Sequence, residues 1–491
     1  MTFLGLDIGT SAVKAVLVDG EQRLLAEAEA PLATSRPRPL WSEQDPHDWW
    51  RASEAVLGTL RARQPAAFAA VRGLGLSGQM HAAVLLDEHD RVLRPAILWN
   101  DGRAQAESRL LNERVPEIGK LAGVPAMPGF TAPKLLWLAR HEPETMARVA
   151  RALPAKDFVR LQLTGQHVTD LADAAGTGWL DQARRDWSPE LLAASGMKPA
   201  QMPNLVEGSA AAGSLRAEVA AHLGLPSGVM VAGGAGDAAA GGIGIGAVDE
   251  GDAYVSLGTS AQYFVTMAAY RPYPQALIHA YCHALPGRWL QMAALLNGAS
   301  CLAWAARLLR AADIGKLLEQ VEAAYAGPGR LLFLPYLVGE RTPHDDPHAR
   351  GVLFGLDPES GPVALVQAVL EGVACSLAEA QDCLADAGTS VEALAAIGGG
   401  ARSRLWMRIL ASALNRPITL YAGGEKGPAF GAARLARLAV TGEAPSAVCV
   451  KPEIAAVIEP RAELVDAYRA QGMRWRRLYR GLRPEFAAAL T

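Results

Sequence analysis

Cysteine is scarce in this sequence. The 491 residues include five cysteines, and no two of them form a C-x-x-C pair. An odd number of widely spaced cysteines indicates neither a disulfide framework nor a structural zinc site, since both need thiols in pairs or at short spacings. We therefore expect free thiols that are buried as small apolar side chains in a reducing compartment.

A surplus of charge of either sign is also missing. Lysine and arginine number 47 against 50 aspartates and glutamates, which gives a net charge of −3. Nucleic acids and anionic membranes attract proteins that concentrate basic residues on one face, and this balance excludes a strongly basic chain. Half of the residues are hydrophobic, so a folded protein is expected. The predicted partners are small molecules, without nucleic acid or membrane.

No long apolar run predicts a membrane span. The nearest candidate, residues 228–248, is rich in glycine and has Asp237 near its centre, where a carboxylate would be costly in lipid. The first residues lack the basic segment of a secretory signal and reach a carboxylate at Asp7. A cytoplasmic protein is therefore expected.

Length and an internal repeat predict two domains. At 491 residues the chain exceeds what one hydrophobic core supports, which is about 250 to 300 residues. The segment Asp7–Ser11 has a counterpart past the middle of the chain, Ser256–Ser260, and apolar stretches flank both. We expect domains at residues 1–242 and 243–491, with the glycine-rich segment Ala238–Asp252 as a candidate hinge.

Each half is predicted to be a mixed α/β domain that opens with a β-hairpin. In the first half, the apolar stretches 3–6 and 12–18 flank a turn. Helical stretches such as 48–63 and 131–141 alternate with short apolar strands such as 71–76. This alternation is typical of the α/β class.

The two repeated turns have the composition of an anion-binding site. Gly9–Ser11 and Gly258–Ser260 each place a glycine beside two hydroxyl side chains. Glycine lets backbone N–H groups approach an anion closely, so two facing turns can hold one polyphosphate. One copy alone would be typical of an ordinary hairpin, whereas two copies at domain spacing favour function. The sequence has no G-x-x-x-x-G-K-[ST] motif, which excludes a P-loop enzyme.

The repeat is asymmetric in its charge. Asp7 stands where the second copy has Ser256. One carboxylate beside a polyphosphate suits a hydrated Mg²⁺, whereas two would repel the nucleotide. Lys14 follows Ser11 by three residues, and both a phosphate contact and a solvated position fit it.

A third glycine cluster, Gly398–Ala401, lies between a predicted strand and a predicted helix. The apolar run Leu394–Ile397 precedes it, and Ser403 is a suitable N-cap for the amphipathic helix that follows. This order lets the backbone approach a base or ribose at a helix N-terminus. Close packing of the strand against the helix explains the same pattern.

Residues 229–239 fit two opposed interpretations. Gly234, Gly236 and Ala239 satisfy the dinucleotide pattern G-x-G-x-x-G/A after a strand, which indicates an oxidoreductase. However, Asp237 lies inside this turn, where its charge would repel a pyrophosphate. A sugar kinase needs such a carboxylate to take a proton from the acceptor hydroxyl. The kinase interpretation is therefore favoured.

Further segments are candidates for an acceptor site. Gln79–His81 offers amide and imidazole groups to a polyol, although a lone histidine is more often structural and Met80 alone fits a core. The loop Gly339–His344 carries adjacent opposite charges, which fit either a loop facing the site or an ion pair at a strand end. Four tryptophans fit either a sugar contact or the core, namely Trp41, Trp49, Trp50 and Trp99.

Taken together and in this order, these segments resemble the FGGY family of carbohydrate kinases over nearly the full chain. The blocks that carry the resemblance are Pro39–Pro46, Gly78–His81, Arg94–Arg103, Met127–Lys134 and Gly339–His344. Beyond Val440 the similarity thins, and the tail is described by its helical pattern alone. The resemblance implies an α/β fold of two actin-like, ribonuclease H-like domains, shared by sugar kinases, actin and Hsp70 ATPases, with ATP and sugar in the cleft between them.

The resemblance also implies an activity, the transfer of the γ-phosphoryl group of ATP, with Mg²⁺, to the terminal hydroxyl of D-xylulose. It implies Asp237 as catalytic base, Met80 and His81 as sugar contacts, and Asp7 as the residue that positions Mg²⁺. The implied ATP contacts are Thr10, Ser11, Lys14, Gly258, Thr259, Ser260, Gly399, Gly400 and Ala401. Ala235 departs from the family's usual glycine run, a small change that should preserve the turn. A homodimer is expected from family habit.

Three alternatives stay open from the sequence. Within the same family, ribulose, glycerol or gluconate is a possible acceptor. A non-catalytic nucleotide switch of the actin or Hsp70 type would keep both phosphate turns without needing Asp237 beside a sugar. A dinucleotide oxidoreductase would bind NAD and ignore ATP.

Overall fold

A computed structural model describes residues 1–422 and 427–488. Its two large sheets have seven strands each. The strands of the N-terminal sheet are Thr2–Ile8, Ala12–Asp19, Leu24–Pro31, Val71–Gly78, Ala211–Ser214, Met230–Ala232 and Ala235–Gly236. Those of the C-terminal sheet are Asp252–Leu257, Ala261–Met267, His279–Cys282, Trp289–Leu295, Ala393–Ile397, Ile418–Tyr421 and Ile454–Ile458.

The two sheets repeat one topology. In the N-terminal sheet, Thr2–Ile8 pairs antiparallel with Ala12–Asp19 and parallel with Val71–Gly78. The corresponding strands of the C-terminal sheet, paired in the same way, are Asp252–Leu257, Ala261–Met267 and Ala393–Ile397. Each repeated glycine turn closes the first hairpin of its sheet. The α/β class and the hairpin at the start of each half are thus confirmed.

Helices cover the two large sheets, and short strand pairs lie outside them. The helices before residue 250 are Pro46–Arg63, Pro65–Phe68, Gln105–Arg114, Ile118–Leu121, Thr131–His141, Pro143–Ala147, Ala155–Thr164, Leu171–Ala174, Pro189–Ala194, Ala217–Leu223 and Asp237–Ile245. Those after it are Ala299–Leu308, Ile314–Ala324, Pro362–Asp386, Arg404–Leu414, Gly427–Thr441, Pro445–Val448 and Ala462–Ala488. The short pairs are Glu43–Gln44 with Ala96–Ile97, Val84–Leu86 with Arg151–Leu153, Val168–Asp170 with Asn204–Val206, Leu180–Asp181 with Asp186–Trp187, and Leu332–Leu334 with Val352–Phe354.

Local capping explains where the predicted helices begin. The Asp45 carboxylate accepts a hydrogen bond of 2.9 Å from the backbone N–H of His47, and a proline opens the helix Pro46–Arg63. The Ser403 hydroxyl accepts from the third residue of helix Arg404–Leu414. The N-cap predicted at Ser403 is therefore confirmed.

Two helices pack on the sheet of the opposite half. Helix Asp237–Ile245 follows the N-terminal sheet in the chain but packs in the core that contains Phe264 of the C-terminal sheet. Helix Gly427–Thr441 lies between two strands of the C-terminal sheet in the chain, Ile418–Tyr421 and Ile454–Ile458, but packs on Phe3 of the N-terminal sheet. The two halves are thereby joined by an exchange of helices. The predicted division between residues 242 and 243 lies inside the first of these helices and stays a prediction.

Glycine allows these exchanged helices to pack with direct backbone contact. A Cβ atom added to Gly431 would overlap the carbonyl oxygen of Ala240 in the partner helix. On the sheet side of the same helix, a Cβ on Gly5 would overlap the carbonyl oxygen of Ala429. No larger side chain fits at either position without separating the elements.

One helix among the described residues, Pro362–Asp386, is long and apolar enough to cross a membrane, and 67% of its most apolar window is buried. Its apolar side chains belong to the main core of the C-terminal half, so it is the core helix of that half. All five cysteines are free, and four of them are buried.

The helix contact predicts that Gly431→Ala destabilises the protein. The new methyl group must push Ala240 away, and overpacking of this kind costs about 1 to 3 kcal/mol. Gly472→Ala is the matched control, because it also lies within a helix and an added Cβ meets no atom within 4 Å. Urea unfolding of both variants measures the difference. Equal unfolding midpoints would contradict the close contact.

Candidate active site

Three candidate segments follow parallel strands of the N-terminal sheet whose carboxyl ends lie side by side. Parallel strands end there at Ile8, Gly78 and Gly236. The first glycine turn, the segment Gln79–His81 and Asp237 follow these strand ends directly. Because the carboxyl ends of parallel strands share an edge, the fold brings together residues that are far apart in sequence.

The C-terminal sheet contributes a matching edge. Strands end at Leu257 and Ile397, which precede the second glycine turn and the cluster Gly398–Ala401. A cleft of about 910 Å³ is lined by residues of both halves. Its walls include the following predicted site residues: Asp7, Lys14, Gly399 and Ala401.

The Gly398–Ala401 cluster exposes backbone to this cleft. Gly398 has φ +86°, and a Cβ there would lie 2.9 Å from the carbonyl oxygen of Leu257. A Cβ on Gly400 would lie 2.7 Å from the Cβ of Leu257, so this glycine serves packing. At Gly399 an added Cβ meets no atom within 4 Å. Gly398 and Gly400 therefore pack closely on Leu257, whereas the backbone at Gly399 is open and can accept a flat group.

Asp7 and Lys14 face each other across the first hairpin. Asp7 is opposite Lys14 in the antiparallel ladder and is 9% exposed. The ammonium of Lys14 lies 3.8 Å from a carboxylate oxygen of Glu29, and both of these side chains are largely exposed. Such a pair is weak, so Lys14 can move to an anion. A carboxylate in the cleft wall is the oxygen donor that Mg²⁺ prefers, and Asp7 therefore fits a metal site.

Side chains of the first half hold the first turn in place. The Thr10 hydroxyl donates to Oε1 of Gln79 at 3.0 Å and accepts from Nε1 of Trp99 at 3.0 Å. Nε2 of Gln44 donates to the Thr10 carbonyl oxygen at 2.7 Å. The amide of Gln79 and the indole of Trp99 are thus engaged with the turn, and this differs from their interpretation as sugar contacts. Trp49 is fully buried in the core.

The second turn is held by the beginning of a helix. The backbone N–H of Ala299 donates to the carbonyl oxygen of Gly258 at 2.7 Å, and that of Gly298 donates to Thr259 at 3.1 Å. A Cβ on Gly298 would overlap the carbonyl oxygen of Ser260. Both turns close the first hairpin of their sheets, but side chains hold the first turn and backbone groups at a helix start hold the second.

Asp237 is the first residue of a helix and lies at the end of a strand. Its carboxylate accepts a hydrogen bond of 2.8 Å from the backbone N–H of Ala238. Burial raises the pKa of Asp237 to about 6, although backbone N–H groups act in the opposite direction. A carboxylate of this kind can accept a proton near neutral pH.

A buried arginine supports the turn before Asp237. Nη1 of Arg160 donates to the carbonyl oxygen of Ala232 at 2.6 Å, and Nη2 donates to that of Gly233. The guanidinium is itself held by Asp157, whose carboxylate lies 3.0 Å from Nε. Sequence reasoning did not find this support, because the residues become neighbours only in the folded chain.

Three buried carboxylates lie beside this arginine and surround a lysine. The ammonium of Lys156 lies 2.7 Å from Asp157, 2.6 Å from Asp170 and 3.4 Å from Asp173. The three acids are close enough together to hold a metal ion, but the ammonium already lies between them. Burial lowers the pKa of Lys156, and the three carboxylates outweigh that effect and raise it overall. The cluster is therefore an ion-pair network.

Met80 and His81 follow the strand that pairs with Ala235–Gly236, the strand that leads to Asp237. Nδ1 of His81 lies 2.5 Å from the carbonyl oxygen of Gly176, and burial lowers the pKa of this histidine to about 3. The neutral ring therefore carries its proton on Nδ1 and presents Nε2 as an acceptor. A Cβ on Gly236 would lie 2.7 Å from Sδ of Met80, so the thioether packs on the strand end that precedes Asp237.

Two side chains outside the predicted set fix His81. Its ring stacks on Phe130 with the centroids 4.4 Å apart. Nζ of the fully buried Lys134 donates to the His81 carbonyl oxygen at 2.9 Å, where the backbone has φ +70°. Both residues belong to the block Met127–Lys134, so the sequence signal was present although no role followed from it.

The loop Gly339–His344 is not a simple ion pair at a strand end. The Glu340 carboxylate is buried and accepts hydrogen bonds from the backbone N–H groups of Leu296 at 2.7 Å and Arg341 at 2.8 Å. Burial raises the pKa of Glu340 to about 7. Glu340 therefore anchors the loop through backbone hydrogen bonds, and the guanidinium of Arg341 is not needed for this anchoring.

Comparison with known proteins agrees with this geometry. The family model described as the FGGY carbohydrate kinase N-terminal domain matches residues 2–244, and the C-terminal domain model matches residues 253–440. A curated relative, the xylulose kinase of Escherichia coli strain K12, is 45% identical over 487 residues, which cover 99% of this chain and 100% of the relative.

Solved structures share the fold. The crystal structure of a xyloylose (xylulose) kinase from Brucella ovis superimposes with a TM-score of 0.96 at 48% identity, covering 99% of this chain and 100% of that one. A gluconate kinase from Lactobacillus acidophilus superimposes with a TM-score of 0.93 at 26% identity, covering 99% of each chain. The predicted two-domain sugar-kinase fold is thus confirmed, and the dinucleotide oxidoreductase interpretation is wrong. Since both halves match the family models and the relatives align over the full length, the chain belongs to the FGGY family of carbohydrate kinases.

Proposed function

We propose that the protein phosphorylates D-xylulose at its terminal hydroxyl with ATP and releases D-xylulose 5-phosphate and ADP. The observation that supports this proposal most directly is the position of Asp237. This carboxylate, with a pKa raised to about 6, follows the strand Ala235–Gly236, which pairs with the strand that leads to Met80 and His81, and the strand that leads to the first glycine turn is the next one in the sheet. The xylulose kinases that align over the full chain support D-xylulose as the acceptor.

Asp237 acts as the general base in this proposal. It takes the proton of the terminal hydroxyl while that oxygen attacks the γ-phosphorus in line and ADP leaves. Nε2 of His81 accepts a hydrogen bond from a sugar hydroxyl, and the Met80 thioether packs against the carbon chain. Fixing the sugar in this way keeps the attacking oxygen within reach of Asp237.

The cleft between the halves fits a nucleotide. The open backbone at Gly399 and Ala401 receives the adenosine. The two glycine turns, which follow the strands that end at Ile8 and Leu257, receive the phosphates. Asp7 holds Mg²⁺ and Lys14 approaches a phosphate oxygen. When bound, Mg²⁺ neutralises charge on the phosphate oxygens.

Movement of the two halves excludes water during the reaction. The exchanged helices lie directly behind both sites, since one begins at Asp237 and the other contributes Gly427 and Ala429 to the cleft wall. Sugar binding therefore promotes closure, which protects ATP from hydrolysis. We further propose a cytoplasmic location and a homodimer, the latter to be tested by analytical ultracentrifugation.

Replacement of the base is expected to abolish most of the activity. Asp237→Asn should lower kcat/KM for D-xylulose by roughly 100-fold or more, the scale of general-base catalysis. ADP release with ATP and Mg²⁺ measures the rate with D-xylulose, ribulose, glycerol and gluconate in parallel. The exposed Asp90 gives the matched control Asp90→Asn, which should keep its activity.

The panel also separates the alternatives. A higher kcat/KM for another acceptor would overturn D-xylulose as substrate and leave the base intact. ATP hydrolysis that no sugar stimulates would favour the nucleotide switch.

The raised pKa of Asp237 predicts an acid limb in the pH profile. The base works only when ionised, so kcat/KM should fall about tenfold for each pH unit below about 6 and be level above it. Initial rates from pH 5 to 8, with saturating ATP, measure this limb. A profile that stays level down to pH 5 would show that burial does not raise the pKa of the base.

The same burial predicts that Asp237→Asn stabilises the protein at high pH. A carboxyl whose pKa is higher in the folded state than in the unfolded state favours folding when protonated, so stability is lost as pH rises through about 6. The neutral amide removes this loss. Urea unfolding should show the variant about 1 to 2 kcal/mol more stable at pH 8 and equal to the wild type near pH 4. A variant less stable at pH 8 would contradict this.

A further inference from the structure

Three polar side chains of the C-terminal half lie near the proposed acceptor pocket of Met80, His81 and Asp237 and have no role in the mechanism above. His279 and Tyr281 come from the edge strand His279–Cys282, and Arg341 comes from the loop Gly339–His344. The rings of His279 and Tyr281 have their centroids 5.3 Å apart.

The edge strand is packed tightly against the N-terminal half. The backbone N–H of Ala280 donates to the carbonyl oxygen of Gly123 at 3.0 Å. The ring of Phe130 lies edge-on to His279 with a centroid distance of 5.9 Å, and the same ring stacks on His81. The wall that carries the sugar-contacting histidine therefore continues directly into the C-terminal half.

His279 and Tyr281 have unused hydrogen-bonding capacity in this wall. His279 is 0% exposed and Tyr281 is 1% exposed. Neither ring nitrogen of His279, nor the Tyr281 hydroxyl, has a hydrogen-bond partner among the residues that the structure describes. Buried polar atoms without partners are costly, so their presence beside a pocket indicates that a ligand supplies the partners.

Arg341 adds a fixed positive charge to the same place. Its loop is anchored by the Glu340 carboxylate and by Thr342, whose hydroxyl donates to the Leu277 carbonyl oxygen at 3.2 Å and accepts from Ala294 at 3.2 Å. The carboxylate of Glu340 is engaged by backbone and amide N–H groups rather than by the guanidinium.

The charge of Arg341 acts on both histidines. Burial lowers the pKa of His81 to about 3, with smaller contributions from the charges of Lys134 and Arg341. Burial followed by the charge of Arg341 lowers the pKa of His279. Burial raises the pKa of Asp237 and backbone N–H groups lower it, and Arg341 is not among the causes. Because Thr342 is hydrogen-bonded to Leu277, two residues before His279, the loop places Arg341 near the edge strand that carries this histidine.

We propose that Arg341, His279 and Tyr281 bind the acceptor at the end remote from the hydroxyl that Asp237 deprotonates, and that they favour a 2-ketose. With the terminal hydroxyl at the base, the other end of such a sugar carries the carbonyl and a hydroxymethyl group. A guanidinium offers planar N–H donors to the carbonyl oxygen, and a neutral imidazole and a phenol pair with hydroxyls. This inference rests on the proposed sugar kinase activity.

Arg341→Gln and Tyr281→Phe test the inference by steady-state kinetics on the full chain. Arg341→Gln should raise KM for D-xylulose about 10- to 100-fold, the cost of losing a hydrogen bond to a charged group, and leave KM for ATP within threefold. Its kcat/KM ratio for D-xylulose over the reduced polyol xylitol should fall by a similar factor. Tyr281→Phe should raise KM for D-xylulose about 3- to 10-fold.

Arg330→Gln is the matched control, because this arginine is in the same half with its side chain 86% exposed. Thermal unfolding and KM for ATP report whether each variant is folded. An unchanged KM for D-xylulose in Arg341→Gln, or equal losses with D-xylulose and xylitol, would overturn the inference. A wild type that ignores D-xylulose would overturn the proposed substrate instead. The variant is then measured with the preferred acceptor, and an unchanged KM there also rejects the inference.

Discussion

The exchange of two glycine-lined helices is the constraint on which the rest of the structure depends. Each sheet is covered by a helix that belongs to the other half of the chain, and at Gly431 and Ala240 these helices touch through their backbones. Backbone contact without side chains between leaves no space for a larger residue at this point. The two halves are therefore joined at the positions where glycine and alanine occur, and the two helices that meet there also reach the cleft wall through Ile245 and Gly427.

The exchange of helices also determines where two residues of the proposed site lie. Asp237 begins one exchanged helix, and Gly427 begins the other beside the nucleotide cleft. In the mechanism that we propose, a change in the angle between the halves would reach Asp237 and the cleft wall together. A closing motion that brings His279 and Arg341 onto the sugar would also move the two glycine turns. Acceptor recognition would thereby be linked to the alignment of the γ-phosphoryl group.

Local patterns allowed part of this to be predicted from the sequence. The repeat of Asp7–Ser11 predicted two related hairpins and Ser403 predicted a helix start, and the structure has both. The base indicated by the carboxylate inside the glycine turn, Asp237, stays a prediction. The exchange of helices and the polar wall around His279 were not predictable, because they arise from contacts between distant residues. Polar groups in a buried strand have the same alternation as apolar ones, so the pattern of His279–Cys282 does not reveal what faces the pocket.

The charged side chains near Asp237 are paired with one another. Lys156 packs beneath this edge, since its Cβ lies 3.2 Å from a Cβ built on Gly78, the residue paired with Gly236. An unpaired ammonium there would favour the ionised carboxylate and hold the pKa of Asp237 down. Three carboxylates surround it instead, and Arg160 shares one of them. The network thus supports the turn with two strong cations while cancelling their field, which leaves burial to set the pKa of the base near 6.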